Sequence, residues 1–391
     1  MNRNTAIAQV QELMQDFAGL TGLDPVGASP RRYLWTDAFA VCNYLGLFEK
    51  TGDAAFRELA LRLVGQVHHT LDRHRADDTR IGWISGLSLQ EGELHPTAGG
   101  LRIGKTQPER GVNEPFDDQR EWDLDGQYFH YLTKWMHALD RVSRVTGNPD
   151  YLGWAIELAH VAHARFTYLP KGSSKKMMYW KMSIDFSRPL VLSMGQHDPL
   201  DGFVTYNELQ LVASQDFHLT TESCLTGEIA DMTGICRGMG MATDDPLGIG
   251  GLLCDTLRIT NLATRDGPVY ATLLETVLGS ALAGLHSFAG SGSLRIPARY
   301  RLAFRELGLS IGLAGVKTLT VRIGKNHHLY GNYDTLNQQV RAIHKYMPLR
   351  EQIERFWLEG KNREAGTWTE HREINMVMLA TSLAPEGFLG I

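Results

Sequence analysis

The sequence predicts an all-α protein in which paired helices close into an (α/α)6 toroid of about six helical hairpins, with long loops at one mouth. Three observations carry this expectation. Leu34–His68 and Phe129–His163 resemble each other without a gap: Thr51-Gly52-Asp53 matches Thr146-Gly147-Asn148, Phe56 matches Tyr151, Ala60 matches Ala155 and Leu63 matches Leu158. Most of the remaining chain carries apolar residues at helical spacing, while alternating strand-like runs are few. Paired helices with weak internal repetition fit an open solenoid or a closed ring, and unequal hairpins separated by long insertions favour the ring. In such a ring the first helix of each hairpin lines the inside and the second lies outside.

Each repeated segment reads as a helical hairpin. Leu34, Ala38, Val41, Leu45 and Phe48 step by fours and threes and share one face. Gly52 suits the end of that helix because it takes the left-handed conformation without a Cβ clash. Asp53, or Asn148 in the second copy, then caps the return helix, and Pro149 follows where a missing N–H costs nothing. Further helices are expected at about 203–213, 224–240, 247–263, 268–287, 298–315, 334–346, 348–360 and 371–383, with Asp266-Gly-Pro268 as a capped start. Gly227, Gly234, Gly238 and Gly240 suggest a close helix approach, and Leu319–Ile323 alternates as a short strand would.

The 391 residues are read as a single domain interrupted by two irregular insertions over the cavity mouth, 73–121 and 170–222. Loops this long inside a compact domain are usually functional. They contain Trp83, His95, Trp180, His197 and His218.

Composition narrows the function. With 43% hydrophobic residues the chain is not disordered, and 39 basic against 44 acidic side chains give a net charge of −5, which argues against a general nucleic-acid binder. Cys42, Cys224, Cys236 and Cys254 form no CxxC pair and read as reduced core residues. The N-terminal segment lacks a secretory pattern, and no uninterrupted apolar run has the length of about 18 residues that a membrane span needs. The expectation is a soluble cytoplasmic protein without a membrane partner; the oligomeric state is left open.

Gly99-Gly-Leu-Arg-Ile-Gly-Lys-Thr106 satisfies the phosphate-loop expression literally, but no strand pattern precedes it and no helix pattern follows. Arg102, Lys105 and Arg110 remain available for an anionic group on a substrate. His160 and His163 lie one turn apart on an expected outer helix without evident further ligands, so no metal is expected, and no cofactor motif stands out.

The densest polar and aromatic cluster is Glu121-Trp122-Asp123-Leu-Asp125-Gly-Gln127-Tyr128-Phe-His130-Tyr131, at the entry to the second hairpin. Asp123, Gln127, His130 and Lys134 make one polar helical stripe. Asp123 and Asp125 are also good residues for the positive end of a helix. The equivalent place in the first hairpin reads Tyr33-Leu34-Trp35-Thr36-Asp37. Aromatic faces stack on the C–H side of sugars, and glycoside hydrolysis needs two carboxyl groups across the bond. Asp37, Asp123 and Asp125 are therefore the acid/base candidates. Trp35, Trp83, Trp122 and Tyr128 are candidate sugar platforms, with Arg102, Gln127 and His130 as polar contacts. His371 begins the last helix, which a closed ring would set beside the first hairpin.

Trp35-Thr36-Asp37 opening an inner helix, followed by Thr51-Gly52-Asp53 before the outer one, resembles the six-hairpin glycosidase-like (α/α)6 toroids. The style is nearest to the unsaturated uronyl and rhamnogalacturonyl hydrolases, where a W-x-D segment occupies that place. The resemblance implies a glycoside hydrolase-like enzyme acting on a saccharide or uronide, with Asp37 as acid/base. Sugar 2-epimerases are similar toroids that move protons through histidines, and they offer the alternative in which His130, His371 and His328 do the work. A non-catalytic binding toroid is the third reading.

Overall fold

The computed structural model describes residues 3–216, 224–267 and 270–390; His218 and Pro268 lie outside the described residues. The protein is all-α, and the strands among the described residues are two or three residues long. Two compact units are present: Ala18–Met239, and Gly240–Ile391 together with Met1–Phe17. The opening helix is α1 (Arg3–Thr21).

The first unit contains the two repeated hairpins, α2 (Leu34–Thr51) with α3 (Ala54–Leu71), and α6 (Phe129–Thr146) with α7 (Asp150–Phe166). Between them lie the short helices α4 (Leu89–Leu94) and α5 (Asp118–Glu121). The repeat extends to individual hydrogen bonds. Gly52 (φ 74°) and Gly147 (φ 71°) both take the left-handed conformation and donate to Phe48 O and Ser143 O, each at 2.8 Å. Thr51 Oγ1 and Thr146 Oγ1 each accept the N–H of Asp53 and Asn148 at 3.2 Å, and those two residues accept from Ala55 N and Asp150 N at 3.0 Å. The local turn chemistry dictates the hairpin in both copies.

Burial separates the two helices of each pair. Every residue from Leu34 to Leu47 in α2 is buried, whereas α3 buries only a stripe formed by Phe56, Ala60, Leu63, Val64, Val67, His68 and Leu71. α7 likewise buries one face, through Leu152, Ala155, Ile156, Leu158, Ala159, Ala162, His163 and Phe166. Each large apolar side chain so enclosed contributes about 1.5–3 kcal/mol by leaving water. α2 packs on α6, and α6 on α8 (Asp198–Asp216), which pairs with α9 (Thr226–Cys236).

The insertions are laced onto this frame. Segment 101–105 runs between α2 and the entry to α6: Leu34 N donates to Ile103 O at 3.0 Å and Ile103 N to Gly126 O at 2.8 Å. Gln127–Tyr128 (β1) pairs antiparallel with Lys181–Met182 (β4), which pairs antiparallel with Pro189–Val191 (β5). A second antiparallel pair joins Thr167–Tyr168 (β2) to Met177–Met178 (β3).

The other unit contains α10 (Pro246–Asp266), α11 (Ala271–Gly290), α12 (Ala303–Ala314), α13 (Val316–Lys325), α14 (Tyr333–His344) and α15 (Met347–Leu358). It ends with α16 (Gly360–Arg363), α17 (Gly366–Thr369), α18 (Arg372–Leu383) and α19 (Glu386–Leu389). α10 and α12 approach so closely that a Cβ on Gly250 would lie 2.1 Å from Gly308 O, and one on Gly312 2.5 Å from Gly250 O. The close approach expected at Gly227, Gly234, Gly238 and Gly240 is therefore corrected, because a Cβ there would meet nothing within 4 Å.

The strand expected at Leu319–Ile323 is also corrected: it is part of α13. Its five residues fit either period, and the longer spacing Val316, Leu319, Ile323 is the buried one, with Val321 exposed. The stretch Ala303–Lys325 is apolar and long enough to cross a membrane by composition, and 67% of its apolar window is buried inside the protein. Arg301 donates in a fork to Glu306 at 2.8 and 2.6 Å in this unit's core, and Trp357 Nε1 adds a 2.8 Å bond to the same carboxylate.

Candidate functional site

The N-terminal ends of α2, α6 and α8 meet at one end of the Ala18–Met239 unit. Tyr33, the residue before α2, and Tyr131, in the first turn of α6, join their hydroxyls at 2.7 Å. His130 and Lys134, one turn apart on α6, face Asp198 and Asp201, one turn apart on α8. His130 Nδ1 lies 3.4 Å from Asp198 Oδ1. Lys134 Nζ reaches both oxygens of Asp201, at 2.5 and 2.7 Å, and Thr133 Oγ1 donates to Oδ2 at 3.2 Å.

Aromatic rings surround these pairs. Tyr131 lies against His130 at 4.9 Å between centroids, Tyr128 at 5.2 Å and Tyr33 at 5.6 Å, with Trp35 at 6.5 Å. Tyr128 continues to Trp180 at 5.3 Å, and Trp180 to Trp122 at 4.9 Å. Tyr33, His130, Tyr131, Lys134 and Trp180 are half-buried and Trp122 is exposed, so the cluster is open to a ligand along part of its length. Burial raises the Tyr128 phenol above its ordinary range, so it is a neutral hydroxyl at neutral pH.

The platform is held rigidly from behind. Lys181, fully buried, donates to Glu121 O and Leu124 O at 2.8 Å each and to Glu121 Oε1 at 3.0 Å, while Arg110 Nε donates to Glu121 Oε2 at 2.9 Å. Burial lowers the Lys181 ammonium's affinity for its proton, with Glu121 acting against that shift. Lys181 also lies under the Tyr128 ring, 5.4 Å from its centroid.

The carboxylates singled out from the sequence occupy three different environments. Asp125 is fully buried and accepts four bonds: from Gly104 N (3.0 Å) and Lys105 N (3.3 Å) at Oδ1, and from Arg102 Nη1 (2.9 Å) and Arg75 Nη1 (3.2 Å) at Oδ2. Its acceptor capacity is taken up in pinning the first insertion. Asp37, 1% exposed, accepts from Tyr33 N at 2.9 Å and lies 3.4 Å from Arg32 Nη1. Burial raises its pKa to about 6, against the opposing pull of Arg32 and the Tyr33 N–H. Asp123 is exposed on the rim, next to Trp122.

The other expected contacts divide similarly. Trp35 is buried against Phe39, ring centroids 4.5 Å apart, and borders the cluster through Tyr131. Gln127 is buried with Nε2 donating to Gly99 O and Ile184 O. Arg102 is buried, donating to Asp125, Arg73 O and Thr70 O. Trp83 is buried elsewhere in the unit, beneath the Arg73 guanidinium at 4.4 Å and against Gly92. His371 is an exposed residue preceding α18 in the other unit, where it touches Phe304. His160 and His163 meet Glu228 and Asp231 of α9 at 2.8 and 2.9 Å.

Asp198 and Asp201 escaped the sequence reading. The available signal was the string Asp198-Pro-Leu-Asp201, two carboxylates one turn apart at a helix start, inside a region read as irregular.

No family model matches the chain, and no curated protein sequence matches it either. Among solved structures it is similar to a sugar epimerase from a ruminal bacterium, at 10% identity and a TM-score of 0.47, over 90% of this chain and 87% of that one. It is also similar to cellobiose 2-epimerase from Spirochaeta thermophila, at 12% identity and a TM-score of 0.48, over 95% of this chain and 97% of that one.

Proposed function

We propose that this protein is a carbohydrate-active enzyme that moves a proton on the open-chain form of an aldose, as a sugar isomerase or epimerase does, with His130 as the base. One observation carries the reading: a half-buried imidazole stands among aromatic rings with a buried carboxylate, Asp198, 3.4 Å behind its Nδ1. The two stand at ion-pair distance without a hydrogen bond, and a histidine beside a carboxylate that can balance its charge, facing a partly open aromatic surface, has the parts of a general base. The rings supply faces for the C–H side of a sugar.

In the proposed step His130 removes the proton from the carbon next to the carbonyl. The C–H electron pair becomes the C=C bond of an enediolate, and the carbonyl oxygen takes the negative charge. Protonation of the same carbon on its other face, by a donor such as water on that side, gives the epimer; delivery of the proton by His130 to C1, with the C2 hydroxyl proton passing to the C1 oxygen, gives the ketose. The paired hydroxyls of Tyr33 and Tyr131, whose ring lies against His130, offer a donor for the developing oxyanion.

Glycoside hydrolysis is the second reading. It has one observation in its favour: burial gives Asp37 the raised pKa, about 6, that a general acid needs. Against it, both oxygens of Asp37 are engaged beneath the first turn of α2.

The two are separated by incubating the protein with aldoses in D2O and following solvent deuterium at C2 by NMR, alongside release of chromophore from aryl glycosides. Proton transfer predicts C2 exchange in the wild type, its loss in His130→Asn and its survival in Asp37→Asn. Chromophore release that needs Asp37 and not His130 supports hydrolysis and overturns the first reading.

A further inference from the structure

We infer that the substrate is an aldose carrying a negatively charged group, a phosphate monoester or a carboxylate, and that Lys105 receives that group. This rests on the saccharide site proposed above and names its substrate class.

Of the three cations on the phosphate-loop-like segment and the residues after it, two are already neutralised. Arg102 is bound to Asp125 and to two carbonyls, and Arg110 to Glu121 and to two carbonyls. Lys105 differs. Its Nζ lies 5.4 Å from the centre of the Tyr33 ring, and among the described residues no acid pairs with it. It is half-buried, and the ring beneath it belongs to the same cluster: Tyr33 bonds Tyr131, which lies against His130.

The backbone of Lys105 is fixed although no acid among the described residues pairs with its ammonium. Its N–H donates to Asp125 Oδ1 at 3.3 Å, and its carbonyl accepts from Arg75 Nη1 at 2.7 Å. The preceding Gly104 takes a φ of 93°, and a Cβ there would meet Arg32 O at 2.3 Å. Side chain and main chain therefore have separate tasks. The main chain anchors the segment, and the long side chain brings a positive charge to the aromatic surface. A half-exposed ammonium over a ring face, with no carboxylate beside it among the described residues, keeps its charge available to an incoming anion. Phosphate and carboxylate both satisfy an ammonium as a point charge.

The test uses the full chain and measures binding of glucose, glucose 6-phosphate and glucuronate by calorimetry, with the C2 exchange assay run in parallel. Wild type, Lys105→Gln, Lys105→Arg and His130→Asn are compared, and circular dichroism checks that each variant is folded. At least one charged aldose is expected to bind about tenfold or more tightly than glucose, the scale of one charge-assisted hydrogen bond. Which of the two does so tells phosphate from carboxylate. Lys105→Gln should erase the preference, Lys105→Arg should keep it, and added salt should weaken it.

Equal affinity for all three sugars, binding of none of them, or a preference that survives Lys105→Gln overturns the assignment. A Lys105-dependent preference without C2 exchange in any sugar leaves Lys105 as the anion site and removes the proton-transfer reading. His130-dependent exchange without any Lys105-dependent preference for a charged aldose does the reverse.

Discussion

The hydroxyls of Tyr33 and Tyr131 meet at 2.7 Å and tie the start of α2 to the first turn of α6. Neither residue is part of the other's hairpin, so the bond fixes how the two repeats register at the end where the polar pairs gather. Both tyrosines are half-buried. Tyr33→Phe and Tyr131→Phe are each expected to lower unfolding free energy by about 0.5–1.5 kcal/mol, and the double variant by little more than either alone. Urea denaturation of the four proteins checks this; additive losses would show that the hydroxyls act separately.

Asp198 touches no substrate atom in the proposed step and acts through His130. Asp198→Asn keeps the shape but withdraws the charge behind the ring. The exchange rate at saturating aldose should fall by about 10²-fold or more while sugar binding changes little, because the imidazolium that forms loses its counter-charge and with it most of the general-base contribution, itself about 10²–10⁴-fold. Steady-state exchange kinetics on a bound aldose decide it. An unchanged rate would remove Asp198 from the mechanism.

Two glycines predict opposite signs. A methyl on Gly250 would enter the carbonyl of Gly308, 2.1 Å away, and neither backbone can give way easily, so Gly250→Ala should destabilise by about 1–3 kcal/mol or more. Gly234 lies within α9 with open space around its Cβ position, and Gly234→Ala should stabilise by about 0.4–1 kcal/mol by restricting the unfolded chain. Thermal or urea midpoints of the two variants are sufficient.

Two buried groups tilt stability in opposite directions with pH. Burial lowers the pKa of His68 from 6.5 to about 3, with His69 adding to the shift. The unfolded chain therefore binds its proton first, and stability falls as pH drops from about 6.5, by about 1.4 kcal/mol per unit at most. Asp37, raised from 3.8 to about 6, works the other way. Its contribution is present below pH 3.8 and is lost as pH rises through about 6. Relative to wild type, His68→Gln should improve as pH falls from 6.5 to 4, and Asp37→Asn should improve as pH rises over the same interval. Denaturant midpoints at the two pH values test both signs.

The hairpins were legible because their determinants are local. Thr51-Gly52-Asp53 and Thr146-Gly147-Asn148 encode a left-handed stop and a cap within three residues, and no distant contact can change what those residues do best. Leu319–Ile323 was not legible, since five alternating residues satisfy a strand as well as one stripe of a helix until Val316 is counted. Carboxylates were the hardest to read. Asp37, Asp123 and Asp125 look alike as letters, yet one is enclosed under a helix start, one lies on the rim and one holds four donors. Asp198 acquires its meaning only from His130 on another helix. Lys105 is readable only by elimination, after Arg102 and Arg110 have found their acids.

Asp125 and Lys181 rivet the first insertion at two depths, one through Gly104 and Lys105, the other through Glu121 and Leu124. Folding has therefore already stiffened that rim, and a ligand docking there would not have to freeze a wandering flap. On the function proposed above, discrimination there is that of a mould: a sugar whose outline does not suit the rings is turned away by shape.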